Sequence, residues 1–184
     1  MKPVFIVIDM CEDFFTEGRL HDLKNYLSGA INELASRFRK SGASIIWVRQ
    51  EFEPDLSDAF LTQRKQGILM TIKGTPGAQL ISELKVVSED IEIIKKRYSA
   101  FFGTNLDSIL KDLSPTHLVF AGVNTHACIR TAAVDAFQRD YEVILADEGI
   151  NSYDIGFHED SKRYLEGRVG TFLSNSEIIK KFGI

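Results

Sequence analysis

The chain has 184 residues, 44% of them apolar, with a net charge of −4. That length can bury roughly 70% of its unfolded surface in one core, and so high an apolar fraction at so small a charge excludes disorder as the main state. The negative balance argues against nucleic-acid binding, which needs a basic patch. No stretch approaches the ~20 consecutive apolar residues of a membrane span.

The N-terminal reading MKPVFIVIDMCEDFF has a five-residue apolar run that ends in acids, unlike a secretion signal. Two cysteines, Cys11 and Cys128, do not make a disulfide framework. A single domain over 1–184 in a cytoplasmic setting is the expectation.

In chain order, the first element is a strand over 4–8 (VFIVI). Leu27, Ile31, Leu34, Ala35 and Phe38 then recur at helical spacing, and 44–48 (SIIWV) reads as the second strand. Residues 50–77 break the rhythm: the stretch carries Glu51, Glu53, Asp55 and Asp58 and ends in GTPG. It is read as a surface excursion with one short helix, either a lid or oligomer contact or an ordinary solvated loop.

A third strand follows at 91–94 (IEII), then a helix through Leu106, Ile109, Leu110 and Leu113. Thr104 opens it, with Asp107 three residues on, at capping-box spacing. Strands at 117–121 (HLVFA) and 142–146 (EVILA) bracket the clearest helical stripe, Ile129, Ala132, Ala133, Ala136 and Phe137, and GTFL at 170–173 is a weaker sixth strand. Near-continuous β-branched runs predict strands buried on both faces. Their alternation with helices predicts an α/β fold, a three-layer α/β/α arrangement around a parallel sheet of about six strands.

Ligands of open α/β sheets bind at the carboxyl ends of the strands. There the sequence places Asp9 after the first strand, Lys95 and Lys96 after the third, and Asn124-Thr125-His126-Ala127-Cys128 after the fourth. Cys128 falls in the first turn of a helix, a setting that lowers a thiol pKa and offers N–H groups to an oxyanion. A buried structural cysteine is the equal alternative on position alone. A strand-end aspartate alone is more often a cap, and a strand-end lysine more often surface. The convergence of thiol, carboxylate and ammonium at one sheet edge suits nucleophilic chemistry. His126 stands either as a substrate contact or as a locally bonded histidine. There is no GxGxxG after the first strand, no P-loop and no nucleophile-elbow motif. The four histidines show no ligand spacing, so no metal is expected.

Four blocks carry a resemblance: IDMCEDFF (8–15), KGTPGAQL (73–80), IIKKRYSAFFGTNLDSIL (93–110) and AGVNTHACIRTAAVDAFQRDYEVILADEGI (121–150). Together they resemble the isochorismatase-like cysteine hydrolases nearly end to end, a family with a Rossmann-like fold that also holds nicotinamidases, N-carbamoylsarcosine amidase and ureidoacrylate amidases. The resemblance implies Asp9 as base, Cys128 as nucleophile and Lys95 as the third member, since Lys95 lies six residues before Phe101. It also implies a cis peptide at Val123-Asn124, with the Asn124 and Cys128 amides as oxyanion hole.

Departures matter too. Cys11 stands where the family commonly has glutamine. The segment VRQEFEPDL after the second strand has no histidine, where nicotinamidases place a metal-binding Asp-x-His, so the resemblance implies neither a nicotinamidase nor a cofactor. Isochorismate-cleaving members often lack the cysteine, so Cys128 favours an amidase acting on a small amide, imide or ureido substrate through a thioester. A vinyl-ether hydrolase using Asp9 as acid and a non-catalytic binding protein are the alternatives. Phe14, Arg97, Tyr98 and His126 are candidate substrate contacts. The expected partners are a small-molecule substrate and further copies of the chain, as a dimer or tetramer.

Overall fold

The computed structural model describes residues 2–184. The strands are β1 (Pro3–Ile8), β2 (Ile45–Gln50), β3 (Ile91–Lys95), β4 (His117–Val123), β5 (Glu142–Asn151) and β6 (Thr171–Leu173). They form one parallel sheet in the order β3-β2-β1-β4-β5-β6. The helices are α1 (Gly18–Lys40), α2 (Leu61–Gln66), α3 (Leu106–Leu113), α4 (Arg130–Phe137), α5 (Ile155–Leu165) and α6 (Asn175–Phe182).

All six residues of β1 are buried, and their alternation serves two cores. Val4, Ile6 and Ile8 pack with Leu106 and Leu110 of α3, Ala132 and Ala133 of α4 and Leu165 of α5. Phe5 and Val7 pack with Leu27, Ile31, Leu34 and Phe38 of α1 and Ile178 of α6. Successive side chains of a strand point to opposite faces, so a near-continuous apolar run requires a helix layer on each side. The fold is therefore three-layered α/β/α around a six-stranded parallel sheet. Burial of each large side chain on the α1 stripe contributes about 1.5–3 kcal/mol. That helix ends where the Ser41 N–H turns back to the Arg37 and Phe38 carbonyls, with Arg37, Arg39 and Lys40 in its last turn complementing the dipole.

Two local expectations are corrected. β3 is an edge strand rather than one buried on both faces: Ile93 and Lys95 point inward while Glu92 and Ile94 are exposed, Ile94 by 41%. The edge position gives only one face of this strand a helix layer to meet. The capping box at Thr104 does not form. Asn105 precedes α3 without a side-chain cap bond, and the Thr104 hydroxyl instead donates to the Ala100 carbonyl at 2.6 Å while accepting from the Leu106 N–H at 3.2 Å.

The chain runs outward from β1 through β2 to β3, then crosses to β4 on the other side of β1. That reversal opens a crevice beyond the carboxyl ends of β1 and β4. Gly122 makes close approach possible there. Its φ is +112°, and a Cβ on it would collide with the Ile8 carbonyl oxygen.

Candidate active site

Asp9 is the first residue beyond β1 and adopts φ +57°, a left-handed conformation that aspartate tolerates better than most residues. Its N–H donates to the Val48 carbonyl at 2.8 Å, which ties the turn to β2. Lys95 closes β3 opposite Gln50. Strand alternation sends its side chain to the inner face, where it is fully buried. An ammonium has three donors, and three acceptors surround this one: Asp9 Oδ2 at 2.7 Å, the Arg97 carbonyl at 3.0 Å and Cys128 Sγ at 3.5 Å. Lys96 turns the other way and pairs with Asp58 at 2.7 Å in a partly exposed bridge.

Cys128 lies on the loop leaving β4. The Val123-Asn124 peptide is cis. Residues Thr125–Ile129 then form one widened π-helical turn, closed by the Ile129 N–H donating to the Asn124 carbonyl at 3.2 Å, before α4 continues. Such turns recur at functional sites. Three side-chain bonds fasten the loop to the β5–α5 side: His158 Nδ1 with the Thr125 hydroxyl at 2.8 Å, His126 Nδ1 with the Ser152 hydroxyl at 3.0 Å, and the Tyr153 N–H to Asn124 Oδ1 at 3.1 Å. Ser152, Tyr153 and His158 have no counterpart in the sequence reading, because they belong to a different stretch and converge only in the fold.

Cys128 forms part of the floor of a cleft of about 570 Å³. Of the candidate contacts, Phe14, Tyr98 and His126 line it, as does Asn124 of the expected oxyanion hole. Arg97 does not: its guanidinium donates to the Asp58 and Lys96 carbonyls at 2.8 and 2.6 Å and lies over the Phe60 ring. The 50–77 excursion does contain a short helix, α2, and it supplies a wall through Phe60, Thr62, Gln63, Ile68 and Met70. Among the described residues no three His, Cys, Asp or Glu side chains are grouped to hold a metal ion, and no helix is long and apolar enough to cross a membrane.

The isochorismatase domain family model matches residues 3–177. The chain belongs to the isochorismatase family. It is 39% identical to a protein of Arabidopsis thaliana described as a "probable inactive nicotinamidase", over 76% of this chain and 75% of that one. It is 30% identical to ureidoacrylate amidohydrolase RutB of Agrobacterium fabrum, over 89% of this chain and 83% of the relative. Among solved structures, N-carbamoylsarcosine amidase from Thermoplasma acidophilum superposes with a TM-score of 0.79 at 27% identity, covering 95% of this chain and 97% of the other.

In this isochorismatase-family hydrolase the electrostatics of the thiol correct one expectation. The helix-start position predicts a lowered thiol pKa, yet Cys128 is held well above the ordinary thiol value. Burial is the main cause, since the residue is only 4% exposed, and the neighbouring Asp9 carboxylate adds to it. Lys95 opposes both without overcoming them. Burial alone would lower the Lys95 ammonium, but Asp9 and Cys128 hold it above its usual value. Both directions favour the protonated forms, an ammonium on Lys95 and a neutral thiol on Cys128, beside the Asp9 carboxyl group. Asp9 Oδ1 is buried without a hydrogen-bond partner among the described residues, and the Asp9 carboxyl group is a neighbour of the thiol. Cys11 is fully buried, outside the cleft, and likewise raised by burial and by Asp9.

Proposed function

We propose that this hydrolase cleaves a C–N bond of a small amide, imide or ureido substrate through a cysteine thioester, with Asp9, Lys95 and Cys128 as the catalytic triad. The observation that carries the reading is the buried Lys95 ammonium lying 2.7 Å from Asp9 and 3.5 Å from Cys128, the member of the three that lines the cleft. The similarity to RutB and to N-carbamoylsarcosine amidase, both named for amide hydrolysis, supports the same reaction class.

In the proposed reaction Asp9 takes the Cys128 proton as the sulfur attacks the carbonyl, so the thiolate forms in the presence of substrate rather than beforehand. Lys95 offsets the negative charge that is then shared between sulfur and carboxylate. The Asn124 and Cys128 backbone N–H groups hold the oxyanion. Collapse expels the amine, which takes its proton from Asp9, and leaves an acyl thioester. Asp9, again ionised, activates the water that hydrolyses it.

The test is ammonia or amine release across a panel of small amides, imides and ureas, with isochorismate included. Release from a C–N substrate that is lost in both Cys128→Ala and Asp9→Asn supports the assignment. Turnover of isochorismate alone, unchanged in Cys128→Ala, refutes it in favour of acid-catalysed vinyl-ether cleavage.

A further inference from the structure

We propose that the cleft selects an uncharged substrate, a small amide or urea with an apolar body, and discriminates against carboxylate-bearing ureido compounds of the kind that name the RutB relative. The proposal rests on the amidase reading only for the place of the scissile carbonyl beside Cys128.

Its basis is the chemistry of the walls. The apolar surface comes from Phe14, Phe60, Ile68, Met70, Tyr98 and Tyr153, and no Asp, Glu, Lys or Arg is among the lining residues. The lining residues Gln50, Thr62, Gln63 and Asn124 are polar but carry no formal charge. Burial holds the His126 imidazole below its ordinary value, which disfavours a cation there.

Arg64 and Lys65 of α2 are exposed and do not line the cleft, and the three cations that adjoin Asp9 and Asp58 are committed elsewhere. Lys95 is fully buried, with its donors on Asp9, Arg97 and Cys128. Lys96 pairs with Asp58. Arg97 is bound to two backbone carbonyls. A carboxylate entering the cleft would lose its water without gaining a counter-charge, which is strongly unfavourable. A neutral body loses only water that the apolar walls hold weakly.

A second observation concerns what stands in the wall. Gln63 lines the cleft from the 50–77 excursion, and its side chain is a neutral amide. It offers an entering carboxylate no counter-charge, whereas a neutral amide or urea needs none. Gln50 is held from behind, its Nε2 donating to the Thr71 hydroxyl at 3.3 Å.

The experiment measures binding to full-length Cys128→Ala protein by calorimetry, so that turnover plays no part, and repeats it with Cys128→Ser as a folding safeguard. Two isosteric pairs are used: 3-methylbutylurea against 3-ureidopropanoate, and 4-isopropylbenzamide against 4-carbamoylbenzoate. In at least one pair the neutral member should bind at least tenfold more tightly. Adding Gln63→Lys should shrink or invert that ratio by tenfold or more, whereas Gln63→Leu, which adds no charge, should not help the acid. Equal or tighter binding of the acids, binding of neither member of either pair, or a ratio unmoved by Gln63→Lys overturns the proposal. If selectivity holds but the parent protein releases no amine and forms no acyl adduct, the amidase reading fails while the selectivity stands.

Discussion

Asp9 and Lys95 end strands that are not neighbours, yet their charged groups meet at 2.7 Å across the end of β2. Both side chains are almost completely buried, so neither charge has water as a substitute partner. Lys95→Met should therefore cost about 3–5 kcal/mol of stability, the usual result of leaving a buried charge unpaired. It should also lower kcat/KM by about 10²-fold or more. Lys96→Ala, which removes a partly exposed bridge to Asp58, should cost about 0–1 kcal/mol and leave kcat/KM nearly unchanged. Chemical denaturation and steady-state kinetics on the two variants check the ranking.

Alkaline pH should destabilise the protein. The Cys128 and Cys11 thiols and the Lys95 ammonium are all held above their ordinary values in the native state. The unfolded chain therefore releases these protons first, and the native state binds more protons wherever the two differ. Stability is then full below the ordinary thiol value of about 8.5 and falls as pH rises above it. Melting temperatures from pH 7 to 10.5 should decline above about pH 8.5, and Cys128→Ala should shallow the decline.

Iodoacetamide should label Cys128 and spare Cys11 in the folded protein. Both thiols are buried and raised, but only Cys128 opens on the cleft. Because its resting form is the neutral thiol, the labelling rate should keep climbing with pH through 9 rather than level off near 7. Peptide mass mapping over a pH series reads both points.

Gly77→Ala should loosen the cleft from a distance. A Cβ at this position would fall on the Asp13 carboxyl group, whose Oδ2 accepts the Thr71 N–H at 2.6 Å. Thr71 in turn holds Gln50. The substitution should cost about 1–3 kcal/mol, in the range of an overpacked site, and raise KM more than it lowers kcat. Gly29→Ala, in α1 with open space around it, should instead stabilise by about 0.5–1 kcal/mol. Thermal melts and Michaelis curves for both variants check the contrast.

The layers of the fold were legible because they rest on periodicity. The run before Asp9 and the stripe from Leu27 to Phe38 each have one reading once β-branching and helical spacing are counted. β3 was legible as a strand but not as an edge, since IEII reads as buried until the sheet order shows that nothing pairs beyond it. The strand ends that carry Asp9, Lys95 and Cys128 follow from the chain order. The loop contacts do not: His158 reaches Thr125 across 33 residues, and Phe60 and Met70 enter the cleft from a stretch without periodicity. The thiol departs from its helix-start expectation for a related reason. A helix start is visible in sequence, whereas the burial and the carboxylate that outweigh it are products of packing.

The central claim is that Cys128 becomes acylated, and trapping that adduct tests it most directly. Parent protein should be mixed with the best C–N substrate, quenched in acid within the first turnovers and measured intact, then mapped by peptide. A mass increase equal to the acyl group, located on Cys128 and absent from Cys128→Ala, is the predicted result, together with loss of turnover in that variant. Full turnover by Cys128→Ala, with no adduct on the parent protein, would contradict the account.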